Sequence, residues 1–382
     1  MLIEKIYIDR ESEKDGMTLK VLAMLKDVPV EIVSDPEQFK IETGRLSLTE
    51  GKRRLWLTRF KGPLVKPCPA TAESYLCCKY WVINTQTNCT LDCTYCILQN
   101  YLNQPLLIAY TNVHHVFREI DELIAGSPQR LFRIGTGELT DSFVLDRLTG
   151  WNRDLIEYAS SRKFILEFKT KTAEIADLPV MSSKNIVISW SLNPSEIIAA
   201  EEFKTASLDE RLRAALQAKA KGYRLGFHFD PILEVPDWQA QYTCLIEQLT
   251  ETIDEGDVAW ISLGTLRFPP NLRKMIRTRF PKSRITAGEF VRGVDGKMRY
   301  FRPVRVKIYQ ALYQELRKRW KKVFIYFCME NETVWKQVMG DAPENNEHLD
   351  FLFHDSLHRR FDDMHLIKPD RDFYLAKPIA AN

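Results

Sequence analysis

The chain has 382 residues, 45% of them hydrophobic and 27% charged, with a formal net charge of +3. That length suits one large domain with appendages and a sizeable core. The near-balanced charge excludes a polycation, so any nucleic-acid affinity must come from local patches. No apolar run approaches the roughly 18 residues of a membrane span, and MLIEKIYIDRESEKDG at the start lacks the apolar core of a secretion signal. A cytoplasmic protein without membrane contact is expected, so its eight cysteines read as metal ligands, reactive groups or core residues rather than as disulfides.

Residues 1–80 form a mixed N-terminal extension that ends in a cysteine-rich approach, CPATAESYLCCKYWVIN. From 81 onward strands and helices alternate. YWVINTQ reads as a strand and leads into a cysteine loop. VHHVFREIDELIAG reads as a helix with Val116, Ile120, Leu123 and Ile124 on one face. RLFRIGTGE is a strand ending in glycines, SFVLDRLTGWNRDLIEYASS a helix, and KFILEFKTK and NIVISWSLNP are strands. LDERLRAALQAKAKG is a helix with a glycine stop. RLGFHFDPIL, DWQAQYTCLIEQLTETID and VAWISLGTLRF follow as strand, helix and strand. About six β/α units in series predict an α/β fold with a parallel sheet, either doubly wound or an incomplete barrel. In both, functional groups gather at the C-terminal ends of the strands. The expected division is 1–80, an 81–270 barrel, a basic helix–strand extension over 271–340, and a polar peripheral tail over 341–382.

TNCTLDCTYC places Cys89, Cys93 and Cys96 in the spacing C-x3-C-x2-C. Thiolates this close can hold zinc or an iron–sulfur cluster. Zinc sites usually draw on a second Cys or His pair at finger spacing, and none follows. A [4Fe–4S] cluster normally takes four thiolates, so three leave one iron open to an outside ligand. The alternative is a structural zinc knuckle with a distant fourth ligand, Cys68 or Cys77.

This spacing, with aromatic Tyr95 before the third cysteine and a place after the first strand of a β/α series, resembles the radical S-adenosylmethionine (SAM) superfamily. The resemblance implies a partial (β/α)6 TIM-like barrel with N- and C-terminal extensions. It implies a [4Fe–4S] cluster on Cys89, Cys93 and Cys96, SAM on the open iron, and a 5′-deoxyadenosyl radical as the product of reductive cleavage. An electron donor such as flavodoxin or ferredoxin is then required. RIGTGE resembles the element that holds the SAM amino group, with Gly135 and Gly137 allowing close backbone approach and Glu138 pairing with an ammonium. Lys171, Ser191 and Asn193 end the next two strands and are placed for the SAM carboxylate and ribose.

From about Cys68 to Trp335 the order of the pieces is similar to the spore photoproduct lyase branch, DNA-repair enzymes that revert a methylene-bridged thymine dimer. DNA is the partner this implies, with a lyase-type reaction on a nucleic-acid base or thymine photolesion. The chain departs from that branch twice. GTGELTDS lacks the hydrogen-donating Cys found there, and Ile97 stands where the lyases have a Tyr after the third cluster cysteine. Tyr95 and Cys328 are the candidate catalytic residues, Cys328 as a substitute donor. The alternatives are radical modification of another molecule, or a non-enzymatic nucleic-acid-binding module stabilised by zinc or a cluster.

Other features carry weaker expectations. Cys68, Cys77 and Cys78, with Cys328 or Cys244, are candidates for a second cluster. KRRLWLTRFK (52–61) and NLRKMIRTRFPKSR (271–284) mix basic residues with aromatics, which suits phosphate contact and base stacking. His228 and Asp230 alternate at a strand end and are expected at the barrel mouth. His354 and His358 read as a surface pair on a helix. No P-loop, dinucleotide fingerprint or nucleophile elbow is present.

Overall fold

The computed structural model describes residues 3–69 and 74–376. Its larger sheet has eight strands. In spatial order these are Phe324–Phe327, Val258–Thr265, Arg224–Ile232, Ile186–Ser191, Ile165–Thr170, Arg133–Gly135, Trp81–Ile83 and Val65–Pro67. The first seven are mutually parallel and the last is antiparallel. Spatial order is chain order reversed, so each crossover steps one strand along and the sheet curls into an open barrel. Helices His115–Gly126, Trp151–Ser160, Leu208–Ala220, Trp238–Thr252 and Arg302–Arg319 make five of those crossovers. Strands buried on both faces read as near-continuous apolar runs, which is why FILEF and IVISW were legible. Trp190, Phe168 and Phe227 fill the core between sheet and helices, and Trp260 points into the barrel.

The local signals were sound where they were strong. Helix Leu208–Ala220 opens on a capping box in which Ser207 Oγ accepts from the Glu210 amide at 3.3 Å and Glu210 accepts from the Ser207 amide at 2.7 Å, a device worth about 1 kcal/mol. It stops before Gly222, whose φ of +97° and position 2.2 Å (as a Cβ) from the Met181 carbonyl admit only glycine.

A second sheet of five strands takes Lys5–Asp9, Val30–Val33 and Arg54–Thr58 from the N-terminus, with Leu107–Tyr110 and Gln86–Thr87 from either side of the cysteine loop. The segment expected as a basic nucleic-acid patch, 52–61, belongs here. Trp56 is 2% exposed and donates to Asp9 at 2.8 Å, and Arg59 pairs with Asp15. Trp56 thus belongs to the fold, while Phe60 follows the strand and is only partly buried, packed against Tyr110.

Two further expectations are corrected. The larger sheet takes its edge strand from 324–327, beyond the expected 81–270 barrel. The tail is also not peripheral. Helix Asn346–Arg360 places Leu349, Phe353 and Leu357 in the main core. Asp350, 4% exposed, pairs with Arg130 and Arg133 at 2.5 and 3.2 Å, and Arg360 donates to the Val258 and Ala259 carbonyls. These partners lie where barrel strands begin, so the helix caps the barrel's N-terminal end. His354 is 3% exposed, not a surface residue.

Candidate active site at the open end of the barrel

A cavity of about 320 Å3 opens at the C-terminal ends of the barrel strands. A larger one, about 640 Å3, lies at the smaller sheet beside Asp9, Arg59 and Tyr110 and contains none of the candidate residues. The chemistry of the lining, not size, singles out the former. Cys89, Cys93, Tyr95 and Cys96 form one side, Gly137, Glu138, Lys171 and Ser191 another, and Cys68, Cys78, Tyr326 and Cys328 a third.

The cysteine loop is held at several points. It leaves strand Gln86–Thr87 and returns at Leu107–Tyr110, both in the smaller sheet. Asn88, at φ +67°, donates to the Pro105 carbonyl at 2.6 Å and accepts from the Cys89 amide at 2.8 Å, a conformation that Asn tolerates. Asp92–Cys93 pairs antiparallel with Glu202–Phe203. Gln99 donates to the Thr94 and Cys96 carbonyls at 2.7 and 3.2 Å. Lys52 and Arg279 converge on Asp92 at 3.1 and 2.8 Å. Cys89 and Cys93 are buried, and Cys96 is partly so. Burial pushes all three thiols up, Cys89 to about 12.

The facing groups divide. Gly137 has φ +93°, and a Cβ there would stand 2.9 Å from Lys169 Cβ, so glycine is required at this turn. Burial raises the Glu138 carboxyl, against a hydrogen bond from Asn84 and the charges of Lys169 and Lys66. The Lys171 ammonium lies 5.7 Å from the centre of the Tyr95 ring. Asp141 fixes that strand end by accepting from the Lys171 amide at 2.7 Å and the Thr170 hydroxyl at 2.9 Å. Two candidates stand outside the cavity. Gly135 lies in a strand where a Cβ would strike the Tyr80 hydroxyl and the Glu167 carbonyl. Asn193 is 1% exposed, donating to Glu202 at 2.8 Å and accepting from Tyr242 at 2.7 Å. Tyr95 lines the cavity with its ring, while its hydroxyl donates to Glu202. Burial opposes ionisation of Glu202, but Lys171, Arg211 and the bonds from Tyr95 and Asn193 outweigh it and hold the carboxyl at about 2.

Sequence reasoning missed the polar core beneath. Glu167 accepts from Ser189 at 2.5 Å, His228 at 2.8 Å and the Trp260 indole at 3.2 Å, with Lys169 3.6 Å away. Lys169 in turn sits 3.9 Å from the centre of the Tyr80 ring. The signal was available: Glu167, Lys169 and Lys171 recur every second residue on an otherwise apolar strand, so all three face the barrel interior. His228 and Asp230 reach the cavity as expected, Asp230 through a fork to Arg267 at 3.0 and 3.1 Å. Arg267 also donates to Cys328 Sγ at 3.3 Å.

Among the described residues, no three His, Cys, Asp or Glu side chains converge as on a single metal ion. Cys244 is exposed on its helix.

The family model for spore photoproduct lyase matches residues 73–330. The chain belongs to the spore photoproduct lyase family. The spore photoproduct lyases of Geobacillus sp. (strain Y412MC61) and Bacillus subtilis (strain 168) are each 26% identical to it, over 214 and 215 residues, 55% of this chain and 63% of each relative. The chain thus spans less than two thirds of the curated relatives it matches. Among solved structures, a spore photoproduct lyase mutant with bound AdoMet and dinucleoside spore photoproduct superposes with a TM-score of 0.76 at 20% identity, covering 86% of this chain and 99% of that one. A spore photoproduct lyase complexed with dinucleoside spore photoproduct gives 0.74 at the same identity and coverage. These superpositions establish the fold, a partial barrel of the kind expected.

Proposed function

We propose that this chain is a radical SAM enzyme of the lyase type that acts on a thymine photolesion in DNA. One observation carries the reading: the three loop cysteines line the same cavity as Gly137, Glu138, Lys171 and Ser191. The residues present fit a [4Fe–4S] cluster. Three thiols on one pinned loop, two of them buried and one partly so, line the same cavity. Bound there with SAM and given one electron, the cluster supplies a carbon-centred radical able to take hydrogen from substrate.

The chain's own groups bind and orient. Cys89, Cys93 and Cys96 are the ligands. Glu138 accepts from the SAM ammonium, and Lys171 and Ser191 serve its carboxylate and ribose. Asn193 acts one step back by orienting Glu202, which fixes Tyr95. Gly135 lets Tyr80 pack beneath the site. Where the lyases carry a donor Cys and a Tyr, this chain reads GTGELTDS, without a Cys, and Ile97, and Ile97 lines the cavity with an alkyl group. Cys328 is therefore proposed as hydrogen-atom donor. A donor must carry its S–H bond, and burial pushes the Cys328 thiol up to about 12. The neighbouring Cys78 is drawn down to about 6, chiefly by a hydrogen bond from Cys77 and against burial.

DNA is the proposed partner. Beside the mouth, helix Leu272–Arg279 and hairpin Val291–Arg299 expose Lys274, Arg277, Arg292 and Val294. Arg279 belongs to the fold, because it holds the cysteine loop. An external one-electron donor of the flavodoxin or ferredoxin kind completes the system.

Anaerobic reconstitution tests the core of this reading. The wild type should hold about four irons and cleave SAM under dithionite, and Cys93→Ala should do neither. Zinc in place of iron, or SAM cleavage retained by Cys93→Ala, would overturn it.

A further inference from the structure

The smaller sheet is a doubly wound unit in its own right. Strand Lys5–Asp9 leads through helix Gly16–Met24 to Val30–Val33 on one side of it. The chain then returns through helix Pro36–Thr43 to Arg54–Thr58 on the other side. The two helices cover opposite faces: Val21 packs with Ile6, Ile8 and Leu57, and Phe39 with Tyr7, Val33 and Trp56. All three strands are parallel, so the winding reverses between Lys5–Asp9 and Arg54–Thr58. Open α/β sheets bind ligands outside the carboxyl ends of strands at such a reversal.

The cavity of about 640 Å3 opens there, within the range of small-molecule sites. One rung of the sheet forms its base. Asp9 is level with Val33, and Thr58 with Tyr110, and all four line the cavity. Most of the lining comes from residues 9–62, ahead of the segment that the family model matches.

The decisive group is Asp9, 7% exposed. Its carboxylate accepts from the Trp56 indole at 2.8 Å on one oxygen and from the Thr58 hydroxyl on the other. These bonds fix its orientation. A carboxylate offers about four acceptor positions, so each oxygen keeps capacity for a further donor. Beside it, the rings of Phe60 and Tyr110 lie 4.8 Å apart and form a partly buried aromatic wall. Cations stand at the rim. Arg10 and Arg59 directly follow the strand-end residues Asp9 and Thr58, and Lys61 is exposed next to them. Arg10 commits one nitrogen to Ser34 Oγ at 3.1 Å. Arg59 commits Nε and Nη2 to Asp15. Two acids share the rim, Glu11 and Glu37, and Glu37 is paired with Lys40 at 2.6 Å. An anchored acceptor at the base, an aromatic wall and guanidinium groups above match the hydroxyls, base and phosphate of one kind of molecule.

We propose that this crevice binds a nucleoside phosphate, with Asp9 accepting from the ribose hydroxyls, Phe60 and Tyr110 packing on the base, and Arg10 and Lys61 pairing with the phosphate. The site is separate from the barrel mouth and does not depend on the radical chemistry there.

Calorimetric titration of the full chain with ADP, 2′-deoxy-ADP and pyrophosphate, at matched ionic strength, tests this. The wild type should bind ADP saturably and gain Tm with it. 2′-Deoxy-ADP, which lacks a hydroxyl for Asp9, should bind about tenfold or more weakly, the scale of one hydrogen bond to a charged group. Pyrophosphate should bind more weakly still. Arg10→Glu, at an exposed position, should weaken ADP by about tenfold or more on the same scale, with the Tm of the free chain unchanged. Asp9→Asn should erase the preference for ADP over 2′-deoxy-ADP. No saturable binding of ADP, equal affinity for ADP and either pyrophosphate or 2′-deoxy-ADP, or ADP affinity unmoved by Arg10→Glu would overturn the proposal.

Discussion

The cavity wall that carries Cys89, Cys93 and Cys96 is one continuous loop, whereas the wall that carries Cys68, Cys78 and Cys328 is assembled from distant parts of the chain and cross-linked by buried charge. On the first, strand pairing at both ends of the loop, the Asp92–Cys93 ladder and side chains bound to loop carbonyls leave the thiols little freedom. On the second, Arg267 reaches Cys328 while forked to Asp230, and Arg133 donates to the Cys78 carbonyl while paired with Asp350. The difference matters chemically. A pinned set of three equivalent thiols suits one fixed multivalent group. The thiols of the second wall differ from one another: a hydrogen bond from Cys77 draws Cys78 down to about 6, and burial pushes Cys328 up to about 12. We propose that one wall serves as a ligand set and that the other holds Cys328 as a protonated thiol.

The largest contrast is expected from cysteine substitutions. Cys93→Ala should abolish SAM cleavage, while Cys328→Ala should leave cleavage intact and lower product yield by about tenfold or more, within the usual range for a lost proton- or hydrogen-transfer group. Equal effects on cleavage would erase the distinction between the walls.

Removing the buried charge behind the first wall comes next. Glu202→Gln leaves Arg211 and Lys171 without their anion and should cost about 3–5 kcal/mol by urea denaturation. The pH dependence has a definite sign. The Glu202 carboxyl is depressed from 4.5 to about 2 in the fold, so its contribution is present above pH 4.5 and is lost as pH falls through 2. The stability gap between wild type and variant should narrow over that window. A gap that widened in acid would contradict the assignment.

Gly137→Ala should be milder, about 1–3 kcal/mol for forcing a side chain into positive φ, with weaker SAM binding measured by equilibrium dialysis. The smallest effect belongs to the exposed rim. Lys274→Ala should lower the slope of log affinity for DNA against log salt by about one, with SAM cleavage unchanged.

Much of this arrangement was legible in the sequence, for identifiable reasons. Parallel strands are apolar on both faces, so FILEF and IVISW stood out. The ligand loop was marked by the spacing of three cysteines, and that spacing is local. The second wall draws on residues 68, 78, 133, 267 and 328, which only the curled sheet brings together. The closing helix was hidden because Leu349, Phe353 and Leu357 are interleaved with Asp350 and His354, polar groups that become buried only through Arg130, Arg133 and Tyr374. In the basic stretch at 52–61, the fold takes Trp56 into the smaller sheet and pairs Arg59 with Asp15, which composition alone did not show.

The most direct test supplies anaerobic, reconstituted protein with dithionite, SAM and a dinucleoside spore photoproduct, and follows 5′-deoxyadenosine and released thymine in wild type and Cys328→Ala. Lesion reversal by the wild type, with SAM cleavage outrunning reversal once Cys328 is gone, is the predicted result. Reversal unaffected by Cys328→Ala would contradict the role given to the second wall, and a wild type that neither cleaves SAM nor reverses the lesion would contradict the proposed function itself.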